Sequence, residues 1–410
     1  MAVRQIVGID IGTSKICTII GQIDKDDRIN VLGSGVVPSK GIERGMVVNI
    51  EEASRAVIAS IQKAELTGYR VVSAYVSISG RHIRTYNRKG IAAISRIGDG
   101  AVTRDEIMRA IETAQADALP PNLEILHVMP YRYTLDGNVV RDPIGMHGFR
   151  LEVDVHIVVC EMVAIQNLIK VLQEAGVEID EVVLQPLAAA EGVLTSEERE
   201  SGVVLIDMGC GTTSVAFFAQ GNTWHSHVIP IGGYTFTNDI IMTFQINPHS
   251  AEHNKQVIGD AIADPLRHNE YIEVEGGRVG DYIEISRLLF NQCIQARADE
   301  LIDFVIYEVN HSIYDGAYAS GIVLTGGGAQ MTNIDALFEE RFSAPVRIGI
   351  AYDVYGLSDA LNSPLYATAL GLIRWGYHHG NIDDGGRARD ESRWVELYER
   401  FKEWLREFLP

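Results

Sequence analysis

Val7-Gly8-Ile9-Asp10-Ile11-Gly12-Thr13-Ser14-Lys15 and Val204-Leu205-Ile206-Asp207-Met208-Gly209-Cys210-Gly211-Thr212-Thr213-Ser214 carry one pattern twice: an apolar strand ending near an aspartate, a turn of small residues, and the start of a second strand. Glycine lets backbone turn tightly without a Cβ in the way, so successive amides can converge on an anion. Gly12, Thr13, Ser14 and Lys15 in one loop, and Gly209, Gly211, Thr212 and Thr213 in the other, are therefore candidate phosphate ligands. Carboxylates repel phosphate, so Asp10 and Asp207 suit a hydrated Mg²⁺ bridging carboxylate and phosphate. A single hairpin of this kind would be an ordinary β-turn. Its repetition points to two hairpins facing each other across the phosphates of a nucleotide.

A third glycine cluster extends the pattern. Ile322-Val323-Leu324-Thr325 reads as a buried strand running into Gly326-Gly327-Gly328, where bare backbone could lie against an adenosine. The 410 residues suggest two or more domains, and 46% hydrophobic residues are enough for real cores. A net charge of −20 argues against a nucleic-acid surface, which needs a basic footprint. Any membrane contact must then be local and apolar. Cys17, Cys160, Cys210 and Cys293 are isolated from one another, which fits a reducing cytosol. No signal peptide is expected, no run reaches the roughly 18 apolar residues of a spanning helix, and the histidines show no metal-ligand spacing.

Read along the chain, residues 1–81 form the first lobe core, with a helix over about 50–66 on the spacing of Ala53, Val57, Ile61 and Ala64. From residue 82 a strand near 84–95, a helix opened by a Thr103/Glu106 capping box, and strands over 123–135 and 150–160 compose an inserted βαββ unit, 82–160. The first lobe resumes over 161–198 and about 345–378. The second lobe core takes 199–235 and about 301–344, interrupted by a polar insertion over 236–300 with a hairpin turn at Gly276-Gly277. The expected fold is α/β, two-lobed, with duplicated mixed-sheet cores.

The order hairpin, hairpin, Gly-Gly-Gly resembles the actin-like ATPase superfamily. Within it, four stretches resemble the FtsA family of bacterial cell-division proteins: Gly41 to Val47, Asp142 to Glu152, Gly232-Gly233 with Thr237-Asn238-Asp239-Ile240, and Pro364 to Leu372. They extend the similarity from the first strand to about residue 375. The resemblance implies ATP and Mg²⁺ as ligands, with Glu252 reaching the ribose or base, and Gln185 either orienting a water toward the γ-phosphate or tethering the two lobes. An amide is a weak base, so slow or no hydrolysis is expected. His253-Asn254 and Ala351 depart from the family pattern, without touching the phosphate hairpins. The implied partners are the C-terminal tail of the tubulin-like protein FtsZ, held by 236–300, further copies of the chain, and other division proteins through 82–160. A sugar-kinase-like phosphotransferase and a PilM-like pilus-assembly scaffold are the alternatives.

The last residues carry a second signal. At 100° per residue, Trp394, Leu397, Tyr398, Phe401, Trp404, Leu405 and Phe408 share one half of a helical wheel. Arg393, Arg400, Lys402 and Arg406 border that arc, and Glu396, Glu399, Glu403 and Glu407 take the far pole. This is the pattern of a helix lying in a membrane interface, with docking on the protein's own body as the alternative. A glycine-rich tether over 379–392 precedes it, spanning at most roughly 45 Å. The expected place of action is the cytoplasmic face of the cell membrane at the division site, with the chain held there as a peripheral protein.

Overall fold

The computed structural model of the chain describes residues 5–94, 100–116, 120, 122–277, 280–311, 318–357 and 359–379. Two mixed sheets form its two lobes, and they share one design. In the first, strands run in the order Glu178–Leu184, Ser73–Ile78, Ile6–Ile11, Lys15–Ile23, Ile29–Pro38, with Val354–Gly356 added at the edge. In the second the order is Val346–Ile348, Ile322–Thr325, Val203–Met208, Thr213–Ala219, Asn222–Ile229. In each sheet the strand that ends at the aspartate and glycine turn is parallel to one neighbour and antiparallel to the other.

The hairpins are equivalent residue by residue. Asp10 pairs with Cys17 and Asp207 with Ser214, so each aspartate stands one step before the last paired residue of its strand. Strands covered on both faces read as continuous apolar runs rather than alternating ones. Val203–Met208 and Thr213–Ala219 are accordingly buried throughout. In the first lobe, helix Ile50–Ala64 covers one face, where Thr18 Oγ1 and Ser60 Oγ lie 2.7 Å apart. Helix Ala367–His378 covers the other, with Leu372 and Ile373 pressed on Gly8 and Gly21.

The insertion in the first lobe is a four-stranded sheet ordered Ile83–Ala93, Arg150–Glu161, Leu123–Leu135, Asn138–Val140, backed by helix Arg104–Gln115. The strand Asn138–Val140 adds one element to the expected βαββ. Three residues are too few to show a period of two, and the turn at Asp136-Gly137, both at positive φ, folds them back on Tyr133–Leu135. At the helix start, the Glu106 carboxylate accepts from the Thr103 backbone N–H at 3.0 Å and from the Thr103 hydroxyl.

This insertion also touches the second lobe. Thr85 Oγ1 donates to the Ser226 carbonyl at 2.8 Å, and Asn87 Nδ2 to the Trp224 carbonyl at 3.2 Å. The fully buried His156 lies 2.8 Å from Ser226 Oγ through Nε2 and 2.5 Å from Asn87 Oδ1 through Nδ1. Burial pushes its pKa down to about 3.

In the second lobe, residues 236–300 contain most of helix Gly233–Phe244, helix Pro248–Ile258, and the hairpin Tyr271–Glu275 with Tyr282–Ser286. Helix Arg287–His311 begins there and runs on into the lobe core. Among the described residues no helix is long and apolar enough to cross a membrane. The expected membrane helix at 393–410, with Trp394, Leu397, Tyr398, Phe401, Trp404, Leu405 and Phe408, lies outside the described residues, as does the tether beyond His379.

Candidate functional site

Because the two sheets share one strand order, each sends its glycine turn to the same end, and the turns meet across a cavity of about 370 Å³ between the lobes. All the residues expected at the nucleotide line it: Asp10, Gly12, Thr13, Ser14, Lys15, Gln185, Asp207, Gly209, Gly211, Thr212, Thr213, Glu252, Gly326, Gly327 and Gly328. The turns are closed alike. Gly12 N–H donates to the Lys15 carbonyl at 3.0 Å and Gly209 N–H to the Thr212 carbonyl at 2.9 Å. Those two amides therefore shape their loops, and the backbone between them faces the cavity.

Each aspartate is held by a hydroxyl from another element. Ser77 Oγ donates to Asp10 Oδ1 at 2.7 Å and accepts from Ile11 N–H at 3.2 Å. Thr368 Oγ1 donates to Asp207 Oδ2 at 3.1 Å, and Gln185 Nε2 donates to the same oxygen at 3.1 Å. Lys15 Nζ stands 3.9 Å from Asp10 Oδ2 and 5.7 Å from the centre of the Tyr366 ring. Asp10 and Asp207 are 5% and 2% exposed, which leaves their charges little water. Burial first, and the Asp10 charge second, push the Asp207 carboxyl up to about 6.

Two buried like charges at one cavity are the environment a cation relieves. Among the described residues no set of three or more His, Cys, Asp or Glu comes together to ligate a bare metal ion. Asp10 and Asp207 are a pair of carboxylates that a hydrated Mg²⁺ would fit, with its remaining ligands from water and phosphate.

Gly326 does more than offer bare backbone. Its φ of +80° favours glycine, and a Cβ there would fall on Asp207 Oδ1 and 2.7 Å from the Met208 carbonyl. A Cβ on Gly328 would likewise sit 2.7 Å from Met208 Cβ. The Gly-Gly-Gly turn is thus packed onto the second hairpin and fixes where Asp207 stands.

Glu252, on helix Pro248–Ile258, accepts from Lys255 Nζ and Gln256 Nε2, each at 2.7 Å, and from the Thr237 hydroxyl. Burial raises its pKa, but these partners, Lys255 foremost, bring it below the usual carboxylate value. Lys255 also donates to the Gly233 carbonyl at 2.9 Å. Sequence reasoning missed Lys255, Ser77 and Thr368. The spacing Glu252-x-x-Lys255 puts both on one helix face and could have revealed the lysine; Ser77 and Thr368 carry no local signal.

Comparison with known proteins agrees with this architecture. The family model described as "Cell division protein FtsA" matches residues 204–371, and "SHS2 domain inserted in FTSA" matches 80–159. The chain is 39% identical to the cell division protein FtsA of Pseudomonas aeruginosa, over 98% of this chain and 97% of that one. It is 32% identical to that of Escherichia coli K12, over 98% of each. The chain belongs to the FtsA family of cell-division proteins.

Among solved structures it is similar to the PilM-PilN type IV pilus biogenesis complex, with a TM-score of 0.65 at 15% identity over 92% of this chain and 99% of that one. It is also similar to MreB5 of Spiroplasma citri bound to ADP, with a TM-score of 0.56 at 17% identity over 93% and 99%. At such identities these likenesses establish the actin-like fold. The first insertion is the SHS2 domain that FtsA carries.

Proposed function

We propose that this member of the FtsA family binds Mg·ATP between its lobes and anchors the FtsZ ring to the cytoplasmic face of the cell membrane. The observation that carries the nucleotide reading is the pair of equivalent turns, each with a buried aspartate, closing on one cavity. The solved MreB5 structures bound to ADP and to AMPPNP, which share the fold, support the same reading. Thr13, Ser14, Lys15, Gly211 and Thr212 would hold phosphates, Asp10 and Asp207 the ion's water shell, and Glu252 with Lys255 the sugar side. Bound Mg²⁺ would neutralise phosphate charge.

Gln185 turns its amide nitrogen to Asp207, an arrangement that favours tethering the lobes over activating water. Hydrolysis is accordingly slow or absent.

The membrane is held by the amphipathic segment 393–410, and the FtsZ tail by 236–300. Copies of the chain associate with one another, and the 82–160 insertion receives further division proteins. One weak anchor per copy binds reversibly, while linked copies bind far more tightly through effective concentration. Identity to FtsA proteins along 98% of the chain disfavours a sugar kinase or a pilus scaffold. Co-sedimentation with anionic vesicles tests the anchor: the intact chain should pellet and a chain ending at Ser392 should not. FtsZ tail peptide should join the pellet with the intact chain only, and equal binding by both chains would remove the anchor from the proposal. Calorimetry with Mg·ATP tests the cavity, where absence of binding by folded protein would refute the nucleotide reading.

A further inference from the structure

Two helices start at Asp207 and meet again at the root of the C-terminal tail. Helix Gln185–Val193 begins with Gln185, and helix Ala367–His378 has Thr368 in its first turn; both side chains donate to Asp207 Oδ2 at 3.1 Å. Between these points the helices are in backbone contact. A Cβ on Gly371 would overlap the Ala188 carbonyl, and one on Gly192 would lie 2.8 Å from the Ala367 carbonyl. With no side chain between them, neither helix can shift without moving the other.

At the far end they are joined by charge. Glu191 Oε2 is 3.1 Å from His378 Nδ1, and its Oε1 accepts from Arg199 at 2.8 Å. His378 Nε2 reaches Asp27 Oδ1 at 3.4 Å. The fully buried Arg374 donates to the Tyr352 carbonyl at 2.9 Å and to the Glu191 carbonyl at 3.4 Å. His378 ends the helix, immediately before the tether that leads to the amphipathic segment.

We propose that this helix pair is a clamp fastened at both ends, in which Glu191 and His378 are positioning residues for Asp207, so that the nucleotide cavity and the root of the tail are energetically coupled. The inference rests on the nucleotide reading above. Fixing Asp207 by Mg·ATP fixes the starts of both helices, and through their contact the Glu191–His378 end. Coupling of this kind is reciprocal: loosening the far end must weaken binding at the near end.

The test is hydrogen exchange on the full chain with and without Mg·ATP, paired with the Mg·ATP dissociation constant. The unaltered protein should show Mg·ATP slowing exchange at both turns, residues 12–15 and 209–212, and at residues 375–379. In His378→Ala, and independently in Glu191→Gln, protection at the turns should persist, protection at 375–379 should be lost, and the Mg·ATP dissociation constant should rise about 5-fold or more. Faster exchange at 375–379 in the variants, with the response to Mg·ATP and the affinity unchanged, would mean a purely structural pair and overturn the proposal. So would protection of the turns without protection of 375–379 in the unaltered protein. Protection at neither place would instead defeat the nucleotide reading.

Discussion

Asp207 is buried beside a second carboxylate, and ionising it there costs the unliganded fold stability. Its folded pKa of about 6 lies above the ordinary 3.8. A carboxyl raised in this way favours the folded state at low pH, and that benefit is lost as pH rises from about 4 to about 6. At pH 7 the ionised group then costs on the order of 3 kcal/mol. Asp207→Asn keeps the shape and can still accept from Gln185 and Thr368. It should therefore raise unliganded stability by about 1–3 kcal/mol while abolishing thermal stabilisation by Mg·ATP, both measurable in one set of melting curves. Gly326→Ala should act oppositely on stability. Its φ of +80° and its contact with Asp207 Oδ1 predict a loss of about 1–3 kcal/mol together with weakened nucleotide binding. Chemical denaturation and calorimetry would show both.

The elements divide into those whose boundaries follow from local pattern and those that need a partner to be recognised. Helix Ile50–Ala64 ends close to its expected limit because its apolar spacing ends there, and the following Glu65–Thr67 continues as a 3₁₀ turn. Strand Leu123–Leu135 matches the expected span, since its ends are marked by Pro120-Pro121 and Asp136-Gly137. The Glu191–His378 fastening, by contrast, joins residues 187 positions apart, and no local rule relates them. It has a pH signature. The hydrogen bond that His378 donates to Glu191, then the charges of Glu191 and Asp27, outweigh burial and raise the His378 pKa above 6.5. The stabilisation is fully present below pH 6.5 and is lost as pH rises through the raised value. The stability gap between the unaltered protein and His378→Ala should therefore shrink with rising pH across that window. Nuclear magnetic resonance titration of His378 should give a value above 6.5 that falls in Glu191→Gln.

For the whole molecule, the insertion is bound to the second lobe through His156, Asn87, Thr85 and Ser226, so the lobes are connected outside the cleft between them as well as within it. His156→Leu would leave Asn87 and Ser226 without their buried partner. A loss of about 1–3 kcal/mol is expected, with faster hydrogen exchange along both Ile83–Ala93 and Asn222–Ile229; an effect confined to one of them would show that the contact does not join the lobes. The duplicated turns, the strand and helix periods and the sorted charges of the last eighteen residues are properties of neighbours in the chain, and sequence alone determined them. They suffice for two lobes with facing turns, whose order resembles the actin-like superfamily, and for nearly half of the residues lining the cavity. Which groups hold the aspartates was decided by tertiary structure. Ser77 and Thr368 lie 67 and 161 positions from the carboxylates they bond, and Gln185 reaches Asp207 only because the two sheets stack their turns at one end. A hydroxyl or an amide reads the same in sequence whether it meets water or a buried carboxylate, and only the chain's crossovers determine which it meets.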